Sequence, residues 1–443
     1  MLRIRPQALD DRAMNADRLV RNSVFLMAST AAMAALGFGF SLVVARLFSP
    51  EQVGAGTSLL SALSLIAYLS LFGLNTTIVR FYRSSENPNA QITQSIAVVA
   101  TLGLAFSGIY LLLVPLYAPE LSFVHENPLY AFGFLIAGAA SGINLLTDFV
   151  FIGARKSEYN LFIDGLVQGL TKLILCVALV GLGAYGIFAS AGAGYLVAAV
   201  VGIFCLSRVL GFRFDFGRTA AIKSQLSYSV SSYISGVLNI VPVMALPLIA
   251  VHTLGAASAG YFFLTFQIAN TLYGISYAVG EAFFAEGSFD QSRFVKLLRK
   301  SGLMLVALQI PVLVILAVCG RYVLSAFGAG YAQHGQQLLQ ILALAGIPVA
   351  LNTWAGYVLK LMGLMNSLVV SNVAYAVVTI GFAQLWGHRG VDWLGWAWLA
   401  GNAVAALCAV AAIAFHRLNR AGRNWPGLDT LSPATVQTTG SIR

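Results

Sequence analysis

Runs of about 20 apolar residues recur along this 443-residue chain, separated by short polar breaks. A run of that length matches the thickness of a bilayer's hydrocarbon core when helical. In hydrocarbon every backbone amide needs a partner within the protein, which leaves only α-helices and closed barrels. The runs are continuous and do not alternate with period two, so they specify helices. A chain that is 58% hydrophobic and 9% charged has no other way to dispose of its apolar surface. The expectation is an all-α integral membrane protein of about twelve transmembrane helices. The spans fall at 23–45, 53–74, 95–117, 129–151, 160–181, 184–207, 226–251, 257–284, 301–320, 338–359, 367–386 and 393–416. Loops 46–52, 182–183 and 252–256 are hairpin-tight, and the breaks 117–129 and 321–337 are too short to fold as domains.

The basic residues give the orientation. Of 26 Lys and Arg, 22 fall in the N-terminal segment, the even-to-odd loops and the C-terminal tail. Only Arg46, Arg321 and Arg389 fall on the opposite face, and Lys172 lies within a span. Basic loops stay in the cytoplasm, so both termini are expected there. The net charge of +10 is thereby a topology signal, and no nucleic-acid motif accompanies it. The apolar run at 23–45 is too long for a signal-peptide core and reads as a retained first span. Cys176, Cys205, Cys319 and Cys408 sit inside apolar runs without a CxxC pair, the pattern of small buried hydrophobes. The five histidines have no metal-ligand spacing.

The chain compares with itself at an offset of 206, where Gly54 falls against Gly260. The next helix keeps nearly the same register, with Leu71-Phe72-Gly73-Leu74 against Ala278-Val279-Gly280-Glu281. Six is an even number of spans, so the two halves keep one orientation and form parallel repeats around a central cavity, a common transporter plan. The expected organisation is a cytoplasmic segment 1–22, an N-lobe 23–207 with spans 1–6, a cytoplasmic linker 208–225, a C-lobe 226–416 with spans 7–12, and a disordered tail 417–443. Gly37 and Gly39 interrupt span 1, and the offset places their counterparts between Pro242 and Pro247 of span 7. Matched interruptions point to a hinge, although Gly and Pro also serve ordinary helix packing in membranes.

Polar residues within spans mark the candidate cavity. Asn160, Asp164, Gln168 and Lys172 repeat every four residues along one face of span 5. Lys172 lies about 18 Å into the core, too deep to reach an interface easily. It faces either a wet cavity or a carboxylate, Asp148 or Asp164. Similar stripes are Ser61, Ser64, Tyr68 and Asn75 in span 2; Tyr228, Ser232, Ser235 and Asn239 in span 7; and Asn270, Tyr273, Tyr277 and Glu281 in span 8. Each alone could be interhelical hydrogen bonding; together they fit a hydrophilic cavity. Arg80, Arg83, Arg155, Lys156 and Lys360 stand at cytoplasmic ends, where they also set topology.

The segments Ala45–Phe81, Thr147–Ser190 and Gly280–Ser288 (GEAFFAEGS) resemble bacterial polysaccharide flippases of the O-antigen, Wzx type, most strongly before residue 190. The family often carries a basic residue at the Lys172 position. The resemblance implies the multidrug/oligosaccharidyl-lipid/polysaccharide exporter fold, with two six-helix lobes around a cavity. It implies a flippase, not an enzyme, that moves polyprenyl-diphosphate-linked oligosaccharide to the outer leaflet for lipopolysaccharide or other surface polysaccharide. Its implied partners are that lipid and the surrounding membrane, with polymerase and glycosyltransferases of the pathway. At the end of span 8 the repeat puts Glu286–Gly287 opposite Arg80, so no base is duplicated there. No cofactor is implied, and coupling to protons or sodium is left open. A carrier for a lipid diphosphate needs bases in a wet cavity and Asn, Gln, Tyr and Ser surfaces for sugar, and both are present. A path for the polyprenyl tail is not visible. An ion-coupled multidrug exporter of the same superfamily is the alternative; its acidic sites would lie deep, whereas Asp148, Asp164 and Glu281 read as near the cytoplasmic ends. A polymerase or ligase would need a larger outer loop.

The charge bias makes the topology testable. A reporter active only in the cytoplasm is expected to be active when fused after Arg443 and silent within 118–128; the opposite pattern reverses the orientation.

Overall fold

The computed structural model describes residues 35–82, 85–217, 221–289 and 294–421. In them every expected span is helical: α1 (Ala35–Leu47), α2 (Pro50–Ser70), α3 (Leu74–Phe81), α4 (Pro88–Tyr117), α5 (Pro128–Gly153), α6 (Glu158–Ala178), α7 (Ala184–Leu210), α8 (Ala221–Leu254), α9 (Ala256–Phe289), α10 (Phe294–Phe327), α11 (Ala329–Leu361), α12 (Met365–Trp386) and α13 (Val391–Ala421). Ten are long and apolar enough to cross a membrane. The described part of α1 is shorter, and α9, at 34 residues, is more polar. The segment 1–22, the tail beyond 421, Arg83, Arg218 and Arg293 lie outside the described residues, as do the side chains of Tyr228 and Ser232.

Local chemistry explains where helices start. Ser49, Asn87 and Asn127 each accept a hydrogen bond from a first-turn N–H and are each followed by proline. The side-chain oxygen satisfies an orphan donor, and proline suits a position whose own N–H needs no partner. Ser49 and Gln52 bond reciprocally, a full capping box. Gly255, at φ +84°, makes the tight turn between α8 and α9.

Four features differ from the sequence reading. Span 2 is broken: α2 stops at Ser70 and α3 starts at Leu74, with Phe72 at φ +44° and Gly73 at φ +83°. Hydropathy cannot register this, because the break is itself apolar. Span 5 is π-helical from Leu161 to Gln168. The expected loop 321–337 is almost entirely helix, since α10 runs to Phe327 and α11 starts at Ala329. Helices continue past the apolar window wherever polar residues still support them. Cys319 is exposed, not a buried hydrophobe, while Cys176 and Cys205 are buried.

The internal repeat is explicit in the helix starts. Pro50 and Ala256, and Pro88 and Phe294, are each 206 residues apart; Glu158 and Met365, and Ala184 and Val391, are 207 apart. The halves meet chiefly through α2, which packs on α8 and α9. That contact is reciprocal. A Cβ on Gly54 would overlap the Ala256 carbonyl and come within 2.7 Å of the Gly260 nitrogen. A Cβ on Gly260 would overlap the Pro50 carbonyl and come within 3.0 Å of the Gly54 nitrogen. Residues aligned by the repeat therefore face each other, as a two-fold relation requires.

At this end one apolar core spans both halves, joining Val44, Leu59 and Phe134 to Leu246, Phe262, Phe327 and Trp398. Further contacts bridge it. Arg46 Nε donates to the Ala326 carbonyl at 2.8 Å, Phe38 meets Phe327 edge-on at 5.2 Å, and the His252 ring stacks on Tyr117 at 4.4 Å while bonding its carbonyl. At the opposite end the core divides. Leu71, Leu74, Ile78, Val150, Phe151 and Leu206 form one cluster within the first half, and Ala355, Leu359, Leu368 and Ala409 another within the second. The linker after α7 is pinned to the first half: Asn87 Nδ2 donates to Asp215 at 2.7 Å and Gln94 to the Gly217 carbonyl at 2.5 Å. The bonds from Asn87 and the Gly217 N–H hold the Asp215 carboxyl below its ordinary range.

The joined end depends on two residues without side chains. With cysteines at Tyr117 and His252, a short bifunctional thiol reagent is expected to bridge the halves. Adding Gly260→Leu is expected to cut the bridged fraction several-fold; unchanged bridging would show that the glycine contact does not hold this end together.

Candidate functional site

The stripe on α6 lies within the first half, toward α5 and α7. Asn144, one turn before Asp148 on α5, donates from Nδ2 to Asp164 Oδ1 at 2.9 Å. Asn160 donates to the Asp148 carbonyl at 3.2 Å. The Asp148 and Asp164 carboxyl groups lie within electrostatic reach of each other. Tyr68 of α2 and Tyr195 of α7 lie within electrostatic reach of Asp148, and Tyr195 bonds Ser64 of α2.

Gln168 and Lys172 continue the stripe against Gly194 of α7. A Cβ there would lie 3.3 Å from the Gln168 carbonyl and in ordinary contact with Gln168 Cγ and Lys172 Cβ, so α7 packs closely on this part of the stripe. Lys172 is half-buried; its Nζ stands 5.4 Å over the Phe40 ring of α1 and shares an electrostatic interaction with Asp164. A cation over a ring face gains from the ring quadrupole. The π-helical turn carries Asp164 and Gln168; such turns recur at functional positions. Three side-chain acceptors of the group, Asn144 Oδ1, Asp148 Oδ1 and Asn160 Oδ1, are buried without a partner. Asn144 itself is 4% exposed. An all-oxygen group of this kind suits a proton or a hard cation. Among the described residues no group of three or more His, Cys, Asp or Glu is placed to hold a metal ion.

The expected residues of the second half are dispersed. Tyr273 is a correction. It is fully buried, donates to the Leu342 carbonyl at 2.5 Å and stacks on Trp398, so it belongs to the shared core and not to a cavity wall. Helical spacing alone could not separate these two fates. Ser235 is also buried, holding Asn372 at 2.8 Å. Asn270 and Tyr277 are half-buried, and Asn239 and Glu281 are exposed. Glu281 acts electrostatically on Lys360 and Tyr357 of α11, and Lys360 Nζ lies 4.8 Å over the Tyr357 ring. In the first half Arg80 is exposed at the end of α3, and Asn75 is half-buried with Oδ1 unpartnered. Gly37 and Gly39 have open space around them, and α8 stays helical through Pro242 and Pro247.

The sequence reading missed Asn144, Tyr195 and Tyr233. The pair Asn144 and Asp148 was readable as a four-residue polar spacing in an apolar run. The sequence reading placed Asp148 and Asp164 near the same end and offered each as a partner for Lys172; in the structure the two carboxyls also lie within electrostatic reach of each other.

Comparison with known proteins follows from this geometry. The fold is similar to an inward-facing multidrug MATE transporter of the MOP superfamily, with a TM-score of 0.69 and 14% identity over 89% of this chain and 96% of that one. It is similar to the lipid II flippase MurJ in an inward closed conformation, with a TM-score of 0.73 and 12% identity over 89% of this chain and 87% of that one. It is also similar to a MOP-superfamily transporter from Pyrococcus furiosus described as having a binding pocket of reversed polarity, at 0.61 and 14% identity over 91% and 96%. These likenesses show the fold of a multi-pass membrane transporter. No curated protein matches the sequence significantly. A family model described as polysaccharide biosynthesis protein matches residues 19–285, more than half of the chain, and the chain belongs to that family.

Proposed function

We propose that the chain flips polyprenyl-diphosphate-linked oligosaccharide from the cytoplasmic to the outer leaflet of the bacterial inner membrane by alternating access. The observation that carries this reading is Lys172, a half-buried base well inside a span, beside a polar group of amides, hydroxyls and carboxyls. A diphosphate entering the first half would meet a positive charge where the dielectric is reduced and attraction exceeds that at a surface. Tyr68, Tyr195 and Gln168 offer partners to sugar hydroxyls. The basic bias of the loops puts the joined end outside and the divided end inside, so the cytoplasmic leaflet is the loading side. Lys360 beside Tyr357 and Glu281 gives the second half a cation at that end. Bending at Gly37, Gly39, Pro242 and Pro247 would let the halves rock.

The carboxyl pair favours a second reading, an ion-coupled exporter of another substrate. Here a proton taken up at that pair, not Lys172, would do the functional work.

Flipping of lipid-linked oligosaccharide, normalised to inserted protein, separates these readings. Lys172→Arg is expected to retain substantial flipping, and Lys172→Ala and Lys172→Gln to lose it at normal protein levels. If Lys172→Ala flips at the wild-type rate, the head-group role is wrong. If Lys172→Ala is scarce and Lys172→Ala with Asp164→Ala restores both abundance and flipping, the lysine is a structural counter-charge. A protein that never moves the lipid yet carries protons through the Asp148–Asp164 pair would favour the exporter.

A further inference from the structure

Among the described residues, span 2 has a break without a counterpart in its repeat partner: α9 runs unbroken through residues 277–281, opposite 71–74. Three observations converge on it. Phe72 holds a left-handed conformation at φ +44°, sparsely populated for an aromatic residue, and is followed by Gly73 at φ +83°. Such strain persists only where surrounding structure imposes it. The break also lies where the two cores change over. Leu59, Leu63 and Ile66 of α2 belong to the core shared by both halves, while Leu71, Leu74 and Ile78 belong to a core whose buried residues all come from the first half. Finally, the break is bridged from the other half. Tyr233 of α8 donates its hydroxyl to the Leu69 carbonyl at 2.8 Å, and its ring lies 6.1 Å from that of Phe72.

We propose that Leu71–Gly73 is a hinge of span 2, strained in the conformation seen here and held by the hydroxyl of Tyr233. The inference rests on the alternating-access reading and adds an element to it. If the halves exchange which end is joined, α2 must leave the shared core while α3 stays with the first half. The chain between them then has to bend. Tyr233 is separated by Pro242 and Pro247 from the part of α8 buried in the shared core, so bending of α8 at the prolines carries the tyrosine away from Leu69. Release of the bond and relief of Phe72 would then be one event.

The test measures conformation and needs no lipid-linked substrate, so it stands or falls separately from the substrate assignment. Full-length protein in lipid nanodiscs, with its four cysteines replaced, is spin-labelled at Lys156→Cys and Asn366→Cys for the divided end, and at Leu129→Cys and Leu385→Cys for the joined end. Pulsed electron–electron resonance gives the distance distributions. Tyr233→Phe removes the bond and Gly73→Ala makes the left-handed position costly. Each is expected to shift the ratio of states about five-fold toward shorter 156–366 and longer 129–385 distances. Phe72→Gly relieves the strain and is expected to shift the ratio the other way. Distributions unchanged by Tyr233→Phe and Phe72→Gly overturn the proposal. So does a shift of both in the same direction, which would indicate general loosening instead of a hinge under strain. Tyr233→Phe, which removes a single oxygen atom, decides the question even if another variant fails to insert.

Discussion

The close approach of α2 and α9 at Gly54 and Gly260 is the contact on which the relation of the two halves depends. Lipid chains are as apolar as leucine, so burying side chains gives two membrane helices little reason to associate; dense packing and a few polar bonds must supply it. Here each glycine lies against the backbone one turn before the other, which brings Pro50 and Ala256 into the same contact. Because aligned positions meet, one geometry satisfies both halves. The bonds around it are few: Arg46 to Ala326 and His252 with Tyr117 at the edge, and the buried Ser58 hydroxyl to the Pro247 carbonyl at 3.3 Å. A joint made this way is tight when closed and loses little that water or lipid cannot replace when opened. That is a useful property for a protein whose relatives in fold are known in inward- and outward-facing forms.

The repeat duplicates the scaffold and not the chemistry. With the 206–207 spacing, Asp164 falls opposite Val370 and Ser371, and Lys172 opposite Val378 and Thr379. The first half therefore carries a buried network of Asn144, Asp148, Asn160 and Asp164 that the second half lacks. Polar groups at membrane depth are costly unless paired. Three acceptors of this cluster have no partner within the protein. The second half has aromatic packing, with Phe266, Tyr273 and Tyr375 around the fully buried Trp398. Its buried polar bonds join neutral amides and hydroxyls, such as Asn372 to Ser235 and Asn352 to Asn402, where the first half has carboxyls.

Much of this was legible in the sequence, because the bilayer imposes a simple rule on composition. The spans followed from run length, and the parallel repeat from pairs such as Gly54 and Gly260. The α6 stripe followed from four-residue spacing. What was not legible depends on properties that hydropathy does not encode. The break at Phe72 lies in Leu-Phe-Gly-Leu, as apolar as any helix interior. The π-helical turn at Leu161–Gln168 changes hydrogen-bond register without changing residue type. Tyr273 and Tyr277 share a helix face by spacing, yet one is sealed beneath Trp398 and the other is half-exposed, which only the packing of α11 and α13 decides. Ends of helices such as α10 and α11 were trimmed because an apolar window ends before the helix does.

The asymmetry between α3 and α9 follows from the same division of labour. A continuous helix transmits a rotation along its whole length, so α9 moves as a rod with the half that owns it. The first half cannot use a rod in that place. Its lower segment α3 is committed to α5, where Gly153 lies against the Ile78 carbonyl and the Val79 backbone, beneath the polar cluster. Its upper segment α2 also packs on α5, where Gly142 lies against Ser70, but α2 in addition makes the close contact with α9. A rigid span 2 would pass any change at that upper contact straight down to α3 and the Gly153 contact. A break at Leu71–Gly73 separates the two commitments, so the polar cluster can keep its geometry while the joint above it opens. The left-handed Phe72 is then the local cost of keeping the polar group undisturbed. The cross-half bond from Tyr233 meets that cost at the break itself, where a carbonyl near the end of α2 accepts it.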